Sequence, residues 1–175
     1  AVVHGIPSNY ALKEGDIVSV DCGTKYLGYY GDSAYTFPVG DVNPEVAKLL
    51  KVTKECLYYA VKQATEGNRV GDISYAVQAH AEMNSYSVVR ELVGHGIGRK
   101  MHEKPEVPNY GTKSNGPKLK EGMVLCIEPM INMGTHHVKT LDNNWTVVTM
   151  DGKHSAHFEN SIAITDDGPL ILTTL

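Results

Sequence analysis

The sequence predicts an α+β fold in which two related pairs of antiparallel strands are backed by helices. Three observations lead there. Strand-like runs follow one another at both ends of the chain, and do not alternate singly with helices as a parallel sheet requires. Two amphipathic helical runs lie together between them. A short repeat ties the two ends: Leu12-Lys13-Glu14-Gly15 precedes Asp-Ile-Val-Ser-Val-Asp21, and Leu119-Lys120-Glu121-Gly122 precedes Met-Val-Leu-Cys-Ile-Glu128. Both copies place an acid nine residues after the leucine, so the same turn feeds the same strand into a carboxylate.

Residues 16–21 and 29–37 are rich in β-formers and are separated by turn chemistry between Gly23 and Gly28, which reads as a hairpin. Asn43-Pro44-Glu45 then supplies an N-cap, a proline suited to the first helical position and an early acid. Val46, Leu49, Leu50, Leu57, Ala60, Val61 and Ala64 recur at helical spacing, predicting a helix to about Glu66 that stops at Gly67. A second helix is expected from an Asp72 cap, with Ile73, Ala76, Val77, His80 and Met83 on one face. Further strands are predicted over 123–128, 144–150, 156–164 and 169–173.

Composition narrows the function classes. The chain has 175 residues, enough for one domain spanning 1–175 with a real core, and its 42% hydrophobic and 21% charged content is that of a globular protein. Its formal charge is −4, with no Lys or Arg stripe to neutralise phosphates, so nucleic acid is not expected as a partner. Cys22, Cys56 and Cys126 are odd in number and lack C-x-x-C spacing, which argues against a disulfide framework and for a reducing cytoplasm. No apolar run approaches the about 18 residues of a membrane span. A monomer is expected.

The residues suited to chemistry are carboxylates. Asp21 and Glu128 end apolar runs, where an ionised group needs a cation or several hydrogen bonds if it is buried. Each taken singly could equally sit in water at a strand end. Asp32, in Tyr30-Gly31-Asp32-Ser33, and Glu159, in His157-Phe158-Glu159-Asn160, follow on the second strand of each copy, after ten and thirty intervening residues. Four carboxylates with few positive neighbours call for a multivalent cation. A nitrogen ligand is offered by His95, between glycines in Gly94-His95-Gly96-Ile97-Gly98, with His102 seven residues on. His80 reads as a helix-face residue, and His136, His137 and His154 as loop residues in solvent. His157, two residues before Glu159, would face the same side of its strand and support the ligand set. One imidazole and four carboxylates suit Mn²⁺, Fe²⁺, Co²⁺ or Zn²⁺ in expanded coordination, and five side chains are more economically read as holding two such ions.

Taken in order, His4-Gly5-Ile6-Pro7, the hairpin from Asp21 to Gly31-Asp32, Gly94-His95-Gly96-Ile97-Gly98 with His102-Glu103-x-Pro105, Ile127-Glu128-Pro129 and Phe158-Glu159-Asn160 resemble the motifs of methionine aminopeptidases with the pita-bread fold. The resemblance runs over nearly the whole chain. The 31-residue step from Glu128 to Glu159, too short for a long helical insertion, is similar to the type I subclass. The resemblance implies a pseudo-twofold antiparallel sheet with covering helices, and removal of N-terminal methionine from new proteins and peptides. It implies that Asp21 chelates one ion, His95 and Glu128 the other, with Asp32 and Glu159 bridging. It further implies proton transfer by Glu128, oxyanion stabilisation by His102 and contact of His4 with the scissile amide. Trp145 and Met101 match positions near the methionine pocket, Met101 standing where the family often has Phe. Several dozen residues precede the His4 motif in the family. The resemblance therefore implies that this sequence holds the C-terminal two-thirds of the fold, with an incomplete methionine pocket and exposed core surface.

The nearest alternative is an Xaa-Pro aminopeptidase or prolidase, which uses the same five ligand types; His4-Gly5-Ile6-Pro7 and Trp145 favour methionine release. A binding protein of this fold that has lost its metals is disfavoured by acids or histidine at all five positions.

Overall fold

The computed structural model describes residues 1–174. Its elements are β1 (Ile17–Tyr26), β2 (Tyr29–Pro38), α1 (Pro44–Gln63), α2 (Val70–Met83), β3 (Ser87–Val88), β4 (Val93–Gly96), β5 (Glu103–Pro108) and β6 (Val124–Ile127). These are followed by β7 (Met130–Asn132), β8 (Val138–Thr140), β9 (Val147–Thr149), β10 (Ser155–His157), β11 (Glu159–Thr165) and β12 (Gly168–Ile171). The largest sheet runs β1-β2-β11-β6-β4-β5, with β12 paired to β11, and every pairing in it is antiparallel.

The repeat in the sequence is a repeat in space. Gly15 and Gly122 adopt φ of +92° and +82°, a left-handed turn that glycine enters without steric cost. Gly15 N–H donates to Val39 O, and Gly122 N–H to Ile164 O, each at 2.9 Å. Asp16 N–H returns to Lys13 O, as Met123 N–H does to Lys120 O. Each turn thus starts a strand that pairs with a later one, β1 with β2 and β6 with β11. The second strands meet at the centre, where Ala34 faces Glu159 and Ser33 faces Asn160.

The helices cover one face of this sheet. Leu49, Leu57, Ala60 and Val61 of α1 and Ile73, Val77 and Ala81 of α2 pack with Leu125, Ile127, Ile162 and Ile164 in one buried cluster. Each such Leu or Ile contributes about 1.5–3 kcal/mol of burial. Asn43 caps α1 by accepting from Glu45 N–H at 2.8 Å, and Pro44 stands in its first turn.

Several boundaries differ from expectation. α1 ends at Gln63 and not near Glu66, because the next residues are tethered elsewhere: Gly67 N–H donates to Leu119 O and Leu119 N–H to Asn68 O. Asp72 lies inside α2, where its carboxylate accepts from Arg69 N–H and from Ser114 N–H, both at 2.8 Å. Met83 is 79% exposed; ten residues past Ile73 it stands about 80° away round the helix axis. Residues 144–146 are not strand, and 156–164 divides at Phe158: β10 joins β7 and β3 in a separate three-stranded sheet, while β11 enters the main one. Residues 130–132 and 138–140, and the glycine-rich stretch around His95, are strands that carry no β-pattern in the sequence.

Candidate metal centre

Register places the ligand candidates on one face. Side chains alternate along a strand and directly paired residues point the same way. Asp21 pairs with Ala34, and Ala34 with Glu159, while Asp32 lies two residues from Ala34. Ser161, two beyond Glu159, pairs with Cys126, which pairs in turn with His95. Glu128 lies two beyond Cys126. Asp21, Asp32, His95, Glu128 and Glu159 therefore project from four strands and one strand end on the side opposite the helices.

Close approach of the backbones makes this possible. A Cβ on Gly94 would meet Cys126 O, and one on Gly96 would meet Lys104 O. The glycines around His95 are thus needed to seat β4 between β6 and β5. His95 is 7% exposed, and its Nδ1 lies 2.9 Å from Gly96 O, which orients the ring. Ser161 fixes Asp32 through its backbone, donating to Asp32 O at 2.8 Å while accepting from Asp32 N–H at 3.0 Å.

The result is a compact, charge-dense set. Asp32, His95, Cys126 and Glu159 offer ligand atoms that all lie within 4.8 Å of one another. His95 Nε2 is 4.0 Å from Asp32 Oδ2 and 3.6 Å from Glu128 Oε1. Burial and the mutual field of Asp21, Asp32 and Glu159 hold the carboxyl groups of Glu128 and Glu159 well above the usual carboxylate range. Burial likewise raises Asp32 and lowers His95. Asp32 Oδ1 and Glu159 Oε1 are buried without a hydrogen-bond partner. Buried acceptors that repel one another and lack donors fit a multivalent cation. The hard, oxygen-rich donor set fits a divalent ion of the Mn²⁺, Fe²⁺, Co²⁺ or Zn²⁺ kind.

Not every candidate sits as the sequence suggests. Asp21 is exposed, at the rim, and joins the set through its field on Asp32, Glu128 and Glu159. Cys126, fully buried, was not singled out from sequence, though strand alternation two residues before Glu128 puts it on this face. Its thiol lies 3.6 Å from Ser161 Oγ, and burial holds it far above the ordinary thiol range.

The remaining candidates ring the centre. His102 packs edge-on to His95 with ring centroids 4.4 Å apart. Both line a cleft of about 570 Å³ with Val93, Lys100, Glu103, Lys104 and Glu106. Met101 packs on Gly23 of β1 beside Asp32. His4, at φ +58°, stacks on Trp145 at 4.3 Å and 16°. The segment before it is anchored by Val2 N–H donating to Val147 O at 2.8 Å. Trp145 is 56% exposed. His80 instead bonds Glu55 at 2.9 Å between the two helices, remote from this face.

The model of metallopeptidase family M24 matches residues 1–166. The chain belongs to this family of metallopeptidases. It is 58% identical to the methionine aminopeptidase of Clostridium acetobutylicum over 173 residues, covering 98% of this chain and 69% of that one. Its fold is similar to the crystal structure of methionine aminopeptidase from Rickettsia prowazekii, with a TM-score of 0.97 and 44% identity over 99% of this chain and 70% of the other. A recombinant prolidase from Thermococcus sibiricus is more distant, at TM-score 0.75 and 29% identity, covering 98% of this chain and 41% of that one. As an M24 metallopeptidase the chain binds divalent metal, and its sheet is the curled pita-bread sheet of those structures. The interval between Glu128 and Glu159 holds four short strands and no helix.

Proposed function

We propose that this M24 metallopeptidase removes the N-terminal methionine from proteins and peptides, with two divalent ions held by Asp21, Asp32, His95, Glu128 and Glu159. The observation that carries the metal assignment is the buried Asp32–Glu159 pair, each with an unpartnered oxygen, beside His95. The relatives named methionine aminopeptidase, at 58% and 55% identity, support the substrate.

Asp32 and Glu159, the two most buried acids, would be shared between the two ions, one of them held also by Asp21 and the other by His95 and Glu128. Ions held there supply a water of lowered pKa and polarise the scissile carbonyl. Glu128 reaches the same space with one carboxylate oxygen, so in its ionised form it is placed to take a proton from the attacking water and pass it to the departing amine. His102, facing the cleft beside His95, is placed to donate to the carbonyl oxygen as it gains charge. His4, fixed on Trp145, is placed to orient the scissile amide, and Met101 and Trp145 to contact the methionine side chain. Cys126 is not needed as a ligand, because four carboxylates and an imidazole already supply a hard, oxygen-rich donor set.

The test is hydrolysis by the metal-loaded chain of Met-Ala-Ser against an Xaa-Pro peptide. Release of methionine from the first alone is expected. Turnover of only the second would replace this reading with that of a prolidase. Titration with Mn²⁺ or Co²⁺ should give two equivalents per chain; a single equivalent would reduce the centre to one ion.

A further inference from the structure

His157 has no part in the chemistry above, yet it is among the most buried polar side chains of the molecule, 2% exposed. It stands where the chain crosses from the small sheet to the main one, at the end of β10 and two residues before the start of β11. Its backbone is clamped there by Thr36 of β2: Thr36 Oγ1 donates to His157 O at 2.7 Å and accepts from His157 N–H at 3.0 Å. Its Nε2 is buried without a hydrogen-bond partner, which is unfavourable for a polar atom withdrawn from water. That atom lies 3.9 Å from Glu128 Oε2, while the other oxygen of the same carboxylate, Oε1, faces His95 Nε2 at 3.6 Å. Glu128 is thus flanked, one oxygen toward the metal-ligand face and one toward His157.

Resting on the metallopeptidase reading above, we infer that His157 is a positioning residue for Glu128. Its Nε2–H donates to Oε2, satisfies the orphaned nitrogen and fixes the carboxylate plane so that Oε1 is presented to the metal. A small rotation of the Glu128 side chain, which is not itself clamped, closes the gap to hydrogen-bond length. A buried neutral imidazole carries one N–H, and this role requires it on Nε2. Partners of this kind, which bond the far atom of a ligand, change metal affinity by about 10- to 100-fold when removed.

The experiment compares wild type with His157→Leu, which fills the space without a donor, and His157→Gln, which restores one. Each folded protein is stripped of metal, titrated calorimetrically with Mn²⁺, then assayed on Met-Ala-Ser. His157→Leu should bind Mn²⁺ about 10- to 100-fold more weakly and lose kcat with little change in KM, and His157→Gln should recover most of both. Long-range proton–nitrogen spectra of the wild type should show His157 protonated on Nε2. An unprotonated Nε2 overturns the inference, as does a Leu variant that binds Mn²⁺ like wild type. If His157→Leu does not fold, a folded His157→Gln with the full loss of Mn²⁺ affinity overturns it equally. A wild type that binds no Mn²⁺ and leaves Met-Ala-Ser intact would overturn the metallopeptidase reading, and this inference with it.

Discussion

His102 and Asp32 separate two ways in which a single side chain can matter at this centre. His102 is exposed toward the cleft and packs on the His95 ring, with centroids 4.4 Å apart. His102→Ala should therefore lower kcat by about tenfold to a thousandfold while metal content, measured by elemental analysis, stays that of wild type. Loss of metal would move His102 into the ligand set. Asp32 is 6% exposed, with one oxygen unpartnered and its backbone held by Ser161. Asp32→Asn keeps the shape but removes the charge, and should lower the metal content of the purified protein; unchanged content would contradict the bridging role. The carboxylates and His95 were legible in the sequence because an acid closing an apolar strand, or a histidine between glycines, is chemically conspicuous. Asp21 closes an apolar run yet is exposed, so its signal in the sequence is its place in the repeat. Cys126 and the unpartnered Nε2 of His157 were not legible, since both depend on which strands become neighbours.

At the scale of elements, β4 shows how packing overrides local preference. Val93-Gly94-His95-Gly96 has little β-propensity, yet it is an inner strand, because only glycine lets β5 and β6 close on it from either side. Gly94→Ala would drive a Cβ into Cys126 O and toward the Glu128 side chain. It should cost about 1–3 kcal/mol in denaturant unfolding and weaken metal binding. A variant with wild-type stability would show that β4 can shift without consequence. α1 offers the opposite case, in which sequence chemistry is sufficient. Its cap, its proline and its apolar face all stand where the spacing predicts. Asn43→Ala should cost about 1 kcal/mol of stability and leave kcat unchanged, since the cap lies on the helical side of the sheet. α2 was less legible: Asp72 serves as a cap partner from inside the helix, a role set by Arg69 and the loop at Ser114.

For the whole molecule, the centre makes stability depend on pH and metal together. Glu159 is raised to about 8, first by burial and then by Asp32 and Asp21. A carboxyl group with a raised folded-state value binds its proton more tightly when folded, so it stabilises the metal-free fold at low pH and withdraws that stability as pH climbs toward 8. His157 is lowered to about 4 by burial. Its neutral form is the folded one, so its contribution is present above about 6.5, its unfolded value, and is lost as pH falls through 4. The chelated protein should therefore melt at its highest temperature in mildly acidic buffer and at a lower one at pH 8. Added Mn²⁺ should raise the pH 8 value most, because the ion then neutralises the carboxylates that protons no longer do. A melting temperature for the chelated protein that rises from pH 6.5 to 8 would contradict the buried, mutually repelling arrangement. Among the described residues no helix is long and apolar enough to cross a bilayer.

By itself the sequence determined the α+β class, the two helices, the duplicated turn and the acids that each copy carries. These are local matters, set by periodicity, caps and a glycine that must turn left-handed, and they hold whatever surrounds them. Tertiary structure alone decided that the two copies meet through β2 and β11, that His95 enters between β5 and β6, and that His157 looks back at Glu128. Those outcomes rest on pairings between residues far apart in the chain, Asp32 with Ser161 and Thr36 with His157 among them, for which no short stretch of sequence carries a sign.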